Sequence, residues 1–388
     1  MFVLKGKKVV TPLRVIDDGV VIVDGQRLWA VGPSGNMVIP EGVEVVDWGD
    51  SILAPGFIDI HHHGAVGERA TGGAEAVKKI GRFLPSTGCT SWLPTVGLEE
   101  HCPGVVQAMK EGTNGADILG IHMEGPFLEP KGLPGRPEAD SQLRPPDPHL
   151  LERIQEAAEG HVLIMGFGVR MEGALELIRL ARQMGIVPAV AHTKATYEEL
   201  MRAVDAGLKH ATHIYNVMTP MHHRRPGVVG GALTCDQLTG ELIGDGLHVH
   251  PVAMDVVIRC KGVDKVALIT DQSELAGMPD GRYVRPNGVV VIKKNGICRM
   301  EGFDETQDNT MAGSTCTMDQ DVRTLVDRVH LKLEDAIRMA TLTPATIAGA
   351  ENRKGSLEPG KDADIVVLGR DLSVQATYVR GRVSYRRE

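Results

Sequence analysis

The 388-residue sequence is poor in aromatic side chains, with 3 Trp, 5 Tyr and 6 Phe. So few rings exclude the stacking platforms on which single-stranded nucleic acids lie. Positive charge is short too: 42 Lys and Arg stand against 50 Asp and Glu, for a net charge of −8. A nucleic-acid binder needs a basic surface, so that class is also excluded. No run approaches the ~20 apolar residues of a membrane span. The opening MFVLKGKKVV lacks the apolar core of a signal peptide. The 6 cysteines, at 89, 102, 235, 260, 298 and 316, contain no CxxC pair. Reduced thiols in a cytoplasmic protein follow, since a chain of this size needs no disulfide staples.

What remains is ordinary for a folded chain, 42% hydrophobic and 24% charged, which argues against disorder. The length suits one large domain and a smaller one. Histidine stands out, with 15 residues against the 14 aromatics.

Both ends of the chain have β texture. Val20-Val21-Ile22-Val23 precedes the turn signal Asp24-Gly25, and Leu28-Trp29-Ala30-Val31 follows. Val43–Val46 is a further run. Near the C-terminus, Ala363–Leu368 and Ala376–Val379, with Arg380-Gly381 after it, repeat the pattern. Neither end can bury a core alone, so residues 1–54 and 346–388 are expected to pair into one small β-sandwich domain.

Between them, over 55–345, β runs alternate with amphipathic helical stretches. The runs are Gly56–Ile60, Thr90–Leu93, Ile118–Ile121, Val162–Met165, Val187–Val190, His210–Ile214, Leu242–Gly244 and Val266–Ile269. Gly173–Met184, Thr196–Ala206 and Asp319–Val329 are examples of the helices. This alternation predicts an α/β fold, a (β/α)8 TIM-like barrel. A doubly wound open sheet is the alternative, weakened by the lack of GxGxxG after the first strand.

Active sites of such barrels lie at the C-terminal ends of the strands, and the histidines collect there. The first run ends in His61-His62-His63. Residues two apart share a face of a strand, so His61 and His63 can serve one metal while His62 packs on the other side. Glu124 follows the third run, His192 the fifth and Asp271 the eighth. His213 lies in the sixth, and His248 follows the seventh. His122, two residues from Glu124, suits support of the ligands as well as ligation. Imidazoles and carboxylates suit Zn²⁺ or Fe²⁺, and the absence of Cys argues against a structural zinc site. A divalent ion supplies hydroxide near neutral pH, and Asp271 can carry the proton to a leaving amine. Metal-assisted hydrolysis of an amide or related C–N bond is the chemistry this set can perform.

The stretches Ala54–Gly64 and Gly360–Val366 resemble the opening and closing signatures of the amidohydrolase superfamily. Within it, the chain resembles the N-acetylglucosamine-6-phosphate deacetylase family, through HMEGPF (122–127), HTKAT (192–196), THIYNVM (212–218), MHHRRPG (221–227), DGLH (245–248), Thr270-Asp271 and AGST (312–315). The resemblance implies Glu124, His192 and His213 as ligands of the main metal. It implies His61 and His63 for a second ion, giving two per subunit, with Asp271 as general base and acid. It also implies His248 as a substrate contact that polarises the carbonyl, and Met311 in the acetyl pocket. Arg224, Asn216 and the backbone amide of Val217 suit a phosphate. The family's arginine enters the neighbouring subunit's site, which implies a homodimer. The substrate implied is a phosphorylated N-acetyl amino sugar, glucosamine or a related hexosamine, with acetate as one product.

The sequence departs from this pattern in places. Lys131–Pro137 has no His where the family's sugar-contacting His falls. Arg225 stands where an acidic residue is common, and Glu301–Asn309 resembles an insertion. A different N-acyl or cyclic amide substrate is therefore the alternative. A metal-holding scaffold without catalysis is opposed by the carboxylate of Asp271.

Overall fold

The computed structural model describes residues 1–130, 142–285, 288–302 and 311–388, and all that follows refers to these. Lys131–Pro137 and nearly all of Glu301–Asn309 lie outside them.

Eight parallel strands form the barrel: Phe57–His62, Cys89–Val96, Ile121–Met123, Val162–Phe167, Val187–Val190, His210–Ala211, Thr239–Ile243 and Val266–Ile269. They pair in chain order. The ring closes where the eighth strand returns to the first. There the Asp271 N–H donates to the His61 carbonyl at 3.0 Å and the His63 N–H to the Gln272 carbonyl at 2.9 Å. The third strand differs from the expected run over 118–121. Residues Asp117–Ile118 pair separately with Ser91 and Trp92, and the barrel strand starts only at Ile121, beyond Gly120. The seventh starts at Thr239, three residues before the expected Leu242.

Helices cover the strands through residues spaced three and four apart. Helix Tyr197–Asp205 starts with a capping box between Thr196 and Glu199 and buries Leu200, Ala203 and Val204. Leu200 and Val204 join the same core as strand residues Val190, Leu242 and Leu268. Each such aliphatic side chain contributes ~1.5–3 kcal/mol by leaving water.

The chain ends build an eight-stranded, mostly antiparallel sheet. The two ends meet where Ile365–Leu368 runs antiparallel to Ile52–Pro55. Alternation gives the sheet two apolar sides. Leu4, Val21, Val23, Leu53, Ile365 and Val367 cluster together, and Val3, Val20 and Ile22 pack separately near Met37 and Ile39. The result is the small sandwich attached to the barrel.

A three-stranded sheet, Gly281–Val284, Val290–Lys294 and Ile297–Met300, follows the eighth barrel strand. Buried Lys293 ties it down, donating to the carbonyls of Leu275 (3.0 Å) and Met278 (2.7 Å). No described helix is long and apolar enough to cross a membrane.

Candidate metal centre

Five side chains from strand ends converge over the barrel. Glu124 Oε1 lies 3.0 Å from both His192 Nε2 and His213 Nε2, and those nitrogens are 3.0 Å apart. Glu124 Oε2 lies 3.3 Å from His63 Nε2, which is 3.3 Å from His61 Nε2. Donors about 2.0–2.1 Å from a tetrahedral ion stand roughly 3.3 Å from one another, so both triads, Glu124–His192–His213 and His61–His63–Glu124, have the right spacing to hold a metal. Asp271 Oδ1 completes the group, 3.3 Å from His63 Nε2 and 3.7 Å from His61 Nε2.

The backbone turns sharply at these strand ends. His192, His213 and Asp271 have φ of 41°, 30° and 49°, a region that costs a non-glycine residue about 1–3 kcal/mol and is found at functional sites.

Tautomers favour ligation. Buried Glu241 is held well below the usual carboxylate range; burial opposes this, but His61, His210 and His122 outweigh it. An ionised carboxylate only accepts, so His61 Nδ1, 2.8 Å from Glu241 Oε2, must donate. In the neutral ring, Nε2 then presents its lone pair to the other donors.

The group is also short of positive charge. Burial works against a charged His61, yet Glu241, Asp271 and Glu124 raise it to about 10. Glu124 is held well below its usual range, against burial, by His192, His213 and His63. Asp271 is lowered in the same way by His61, His63 and His213. Buried carboxylates facing imidazoles demand cations, as protons or as metal.

His248 follows the seventh strand, its Nδ1 2.5 Å from Asp245 Oδ2. Burial opposes its charge, but Asp245 raises its pKa. Asn216 and Val217 follow the sixth strand. Asn216 Nδ2 lies 3.5 Å from the carbonyls of His213 and Ile214, and the Val217 carbonyl accepts from the Thr193 N–H at 3.2 Å. Arg224 is exposed on a tight turn closed by His222 and Arg225. Met311 pairs with Arg299 beside the three-stranded sheet. Neither Arg224 nor Met311 is bonded to the converging set. His62 packs away from it, against Trp92, with Nε2 2.7 Å from Gln272 Oε1. His122 bonds the Ile60 carbonyl through Nδ1 at 2.8 Å and stacks edge-on against His61.

Two residues escaped the sequence reading. Glu241 sits beneath the donors; its only signal is a lone acid in the run Thr-Gly-Glu-Leu-Ile. Glu129 accepts from the Thr193 hydroxyl and, at 3.1 Å, from the Lys194 N–H, and so pins the loop that carries His192.

The amidohydrolase family matches residues 52–384. N-acetylglucosamine-6-phosphate deacetylase of Bacillus subtilis is 33% identical over 98% of this chain and 96% of its own. N-acetylgalactosamine-6-phosphate deacetylase of Escherichia coli O157:H7 is 32% identical over 98% of this chain and 99% of its own. The structure of a mutant N-acetyl-D-glucosamine-6-phosphate deacetylase from Mycobacterium smegmatis, in complex with N-acetyl-D-glucosamine-6-phosphate, superposes with a TM-score of 0.88 at 29% identity, covering 99% of both chains. The chain belongs to the amidohydrolase family and, within it, to the N-acetylglucosamine-6-phosphate deacetylase family.

Proposed function

We propose that the protein deacetylates an N-acetylhexosamine 6-phosphate, releasing acetate and the amino sugar phosphate. The observation that carries this reading is the convergence of Glu124, His192, His213, His61 and His63 with Asp271 beside them. The full-length likeness to deacetylases of both N-acetylglucosamine and N-acetylgalactosamine 6-phosphates supports the substrate class.

Glu124, His192 and His213 would hold one Zn or Fe ion, and His61 and His63, with Glu124 between the triads, a second. Bound there, a divalent ion supplies Lewis acidity, polarising a carbonyl and lowering the pKa of water to about 7. Asp271 takes a proton from the attacking water and delivers it to the amine nitrogen as the C–N bond breaks. Its depressed pKa supplies the ionised form needed for the first transfer. His248 gives its Nδ1–H to Asp245, so Nε2 donates to the developing oxyanion only as the imidazolium, the form Asp245 favours.

Arg224 would clamp the phosphate, with Asn216 and the Val217 amide adding hydrogen bonds. The Arg224 turn faces solvent, with Met221 61% exposed. Its exposure fits a homodimer in which Arg224 serves the partner's site. Met311 is assigned to the acetyl pocket. The proposed domain division is 1–54 with 346–388, against 55–345. Cysteines free of disulfides fit a cytoplasmic location.

Acetate release from both 6-phosphates and their unphosphorylated sugars, with metal content measured on the same sample, tests the proposal. Turnover restricted to phosphorylated N-acetylhexosamines is expected. Equal turnover without phosphate favours the second reading, another N-acyl or cyclic amide substrate, which the lack of His in the sequence 131–137 supports.

A further inference from the structure

Beneath the converging donors, Glu241 lies wholly buried on the seventh strand. Its Oε2 accepts from His61 Nδ1 at 2.8 Å and from the His213 backbone N–H at 3.1 Å. Its Oε1 lies 3.1 Å from His210 Nε2, and His210 Nδ1 is 2.7 Å from the Thr239 hydroxyl. One carboxylate thus touches a member of each triad, the ring of His61 and the backbone of His213. Both contacts are made on the side away from the donor atoms. The His213 N–H is a fixed donor, so an oxygen must occupy that position. The same oxygen then obliges His61 to carry its proton on Nδ1. Left unpaired, the His61 ring would be free to turn, and the neutral imidazole could carry its one proton on Nε2 instead of Nδ1.

We propose that Glu241 is a positioning residue for the metal centre: it fixes the His61 tautomer and ring and holds the His213 strand end, so that both triads are formed before metal enters. The inference rests on the metal-binding reading above. It assigns Glu241 no contact with substrate. Its charge also stays close to the cations it helps to hold, which adds to affinity. Outer carboxylates of this kind are worth about 10–100-fold in metal affinity.

The test is Zn²⁺ titration into metal-free Glu241→Gln and parent protein, with thermal midpoints of both metal-free forms. A roughly 10–100-fold loss of affinity at the triads is expected, beyond any change in the metal-free midpoint. Unchanged affinity and stoichiometry overturn the inference, whatever happens to the midpoint. Should Glu241→Gln fail to fold, ¹⁵N-imidazole spectra of the metal-free parent, taken at a pH where the His61 ring is neutral, decide, with His61 assigned by His61→Asn. A single proton on His61 Nδ1 supports the inference, and a proton on Nε2 refutes it. Failure of the underlying reading looks different: Zn²⁺ binding by the parent would then survive His192→Ala unaltered.

Discussion

Two buried polar clusters occupy opposite ends of the barrel and obey different electrostatic rules. At the end where the strands begin, Lys354 Nζ is fully buried and lies 2.8 Å from Asp117, 3.0 Å from Asp362 and 2.6 Å from Asp364. Arg27 pairs with Asp362 and Arg380 with Asp117, each at 2.8 Å. Burial disfavours the Lys354 charge, yet Asp364 and Asp117 raise its pKa. Every acid there has a resident cation. At the other end, Glu124, Asp271 and Glu241 form ion pairs with imidazoles and, among the described residues, with no lysine or arginine, and ring nitrogens point at one another 3.0–3.3 Å apart. The first cluster neutralises itself and joins the sandwich to the barrel. The second is complete only when a cation arrives. Buried charge alone therefore does not mark a site; uncompensated charge with converging lone pairs does.

The largest effect expected from breaking this contrast is at Asp271. Asp271→Asn removes the proposed proton carrier while leaving the triads intact, so acetate release should fall about 10²–10⁴-fold with metal content retained. A near-normal rate would remove Asp271 from its assigned role. At the opposite end, Lys354→Met strips three aspartates of their central cation. Removing one partner of a buried pair costs about 3–5 kcal/mol, read as a lower denaturation midpoint of the metal-free protein, with metal affinity of the folded protein unchanged. A variant that loses metal without losing stability would erase the distinction between the two ends.

Smaller effects sharpen it. Arg224→Ala should raise KM for the phosphorylated substrate roughly 10–100-fold, the loss of charge-assisted hydrogen bonds worth about 1.5–3 kcal/mol, and leave unphosphorylated substrates unaffected. Asp245 raises the pKa of His248, and the proposed oxyanion donor is the protonated ring. Activity should therefore decline as pH rises through that pKa, and Asp245→Asn should move the alkaline limb to lower pH. An alkaline limb that stays in place would assign it to another group.

Much of the site is legible because strand ends and period-two alternation carry it. His61 and His63 are two apart at the end of the first strand, and Glu124, His192 and Asp271 follow short apolar runs that form strands. Asp362 and Asp364, within the closing signature, turn out to serve the Lys354 cluster. Glu241 is not legible in the same way. A polar residue inside a barrel strand violates the apolar pattern used to find strands, so the run begins at Leu242 and leaves the acid out. Gly120 breaks the third strand for a related reason, since backbone pairing rather than hydropathy decides where 117–118 and 121–123 bond. The three-stranded sheet pairs its strands in chain order, and Asn295-Gly296, with φ of 52° and 76°, is a strong hairpin turn signal at its second connection.

The most direct measurement is metal content of the purified protein beside Glu124→Gln, the variant that alters the carboxylate shared by both triads. The account predicts up to two Zn or Fe ions per parent chain, most of them lost on substitution. An active parent free of metal, or a variant that keeps its full complement, would contradict it.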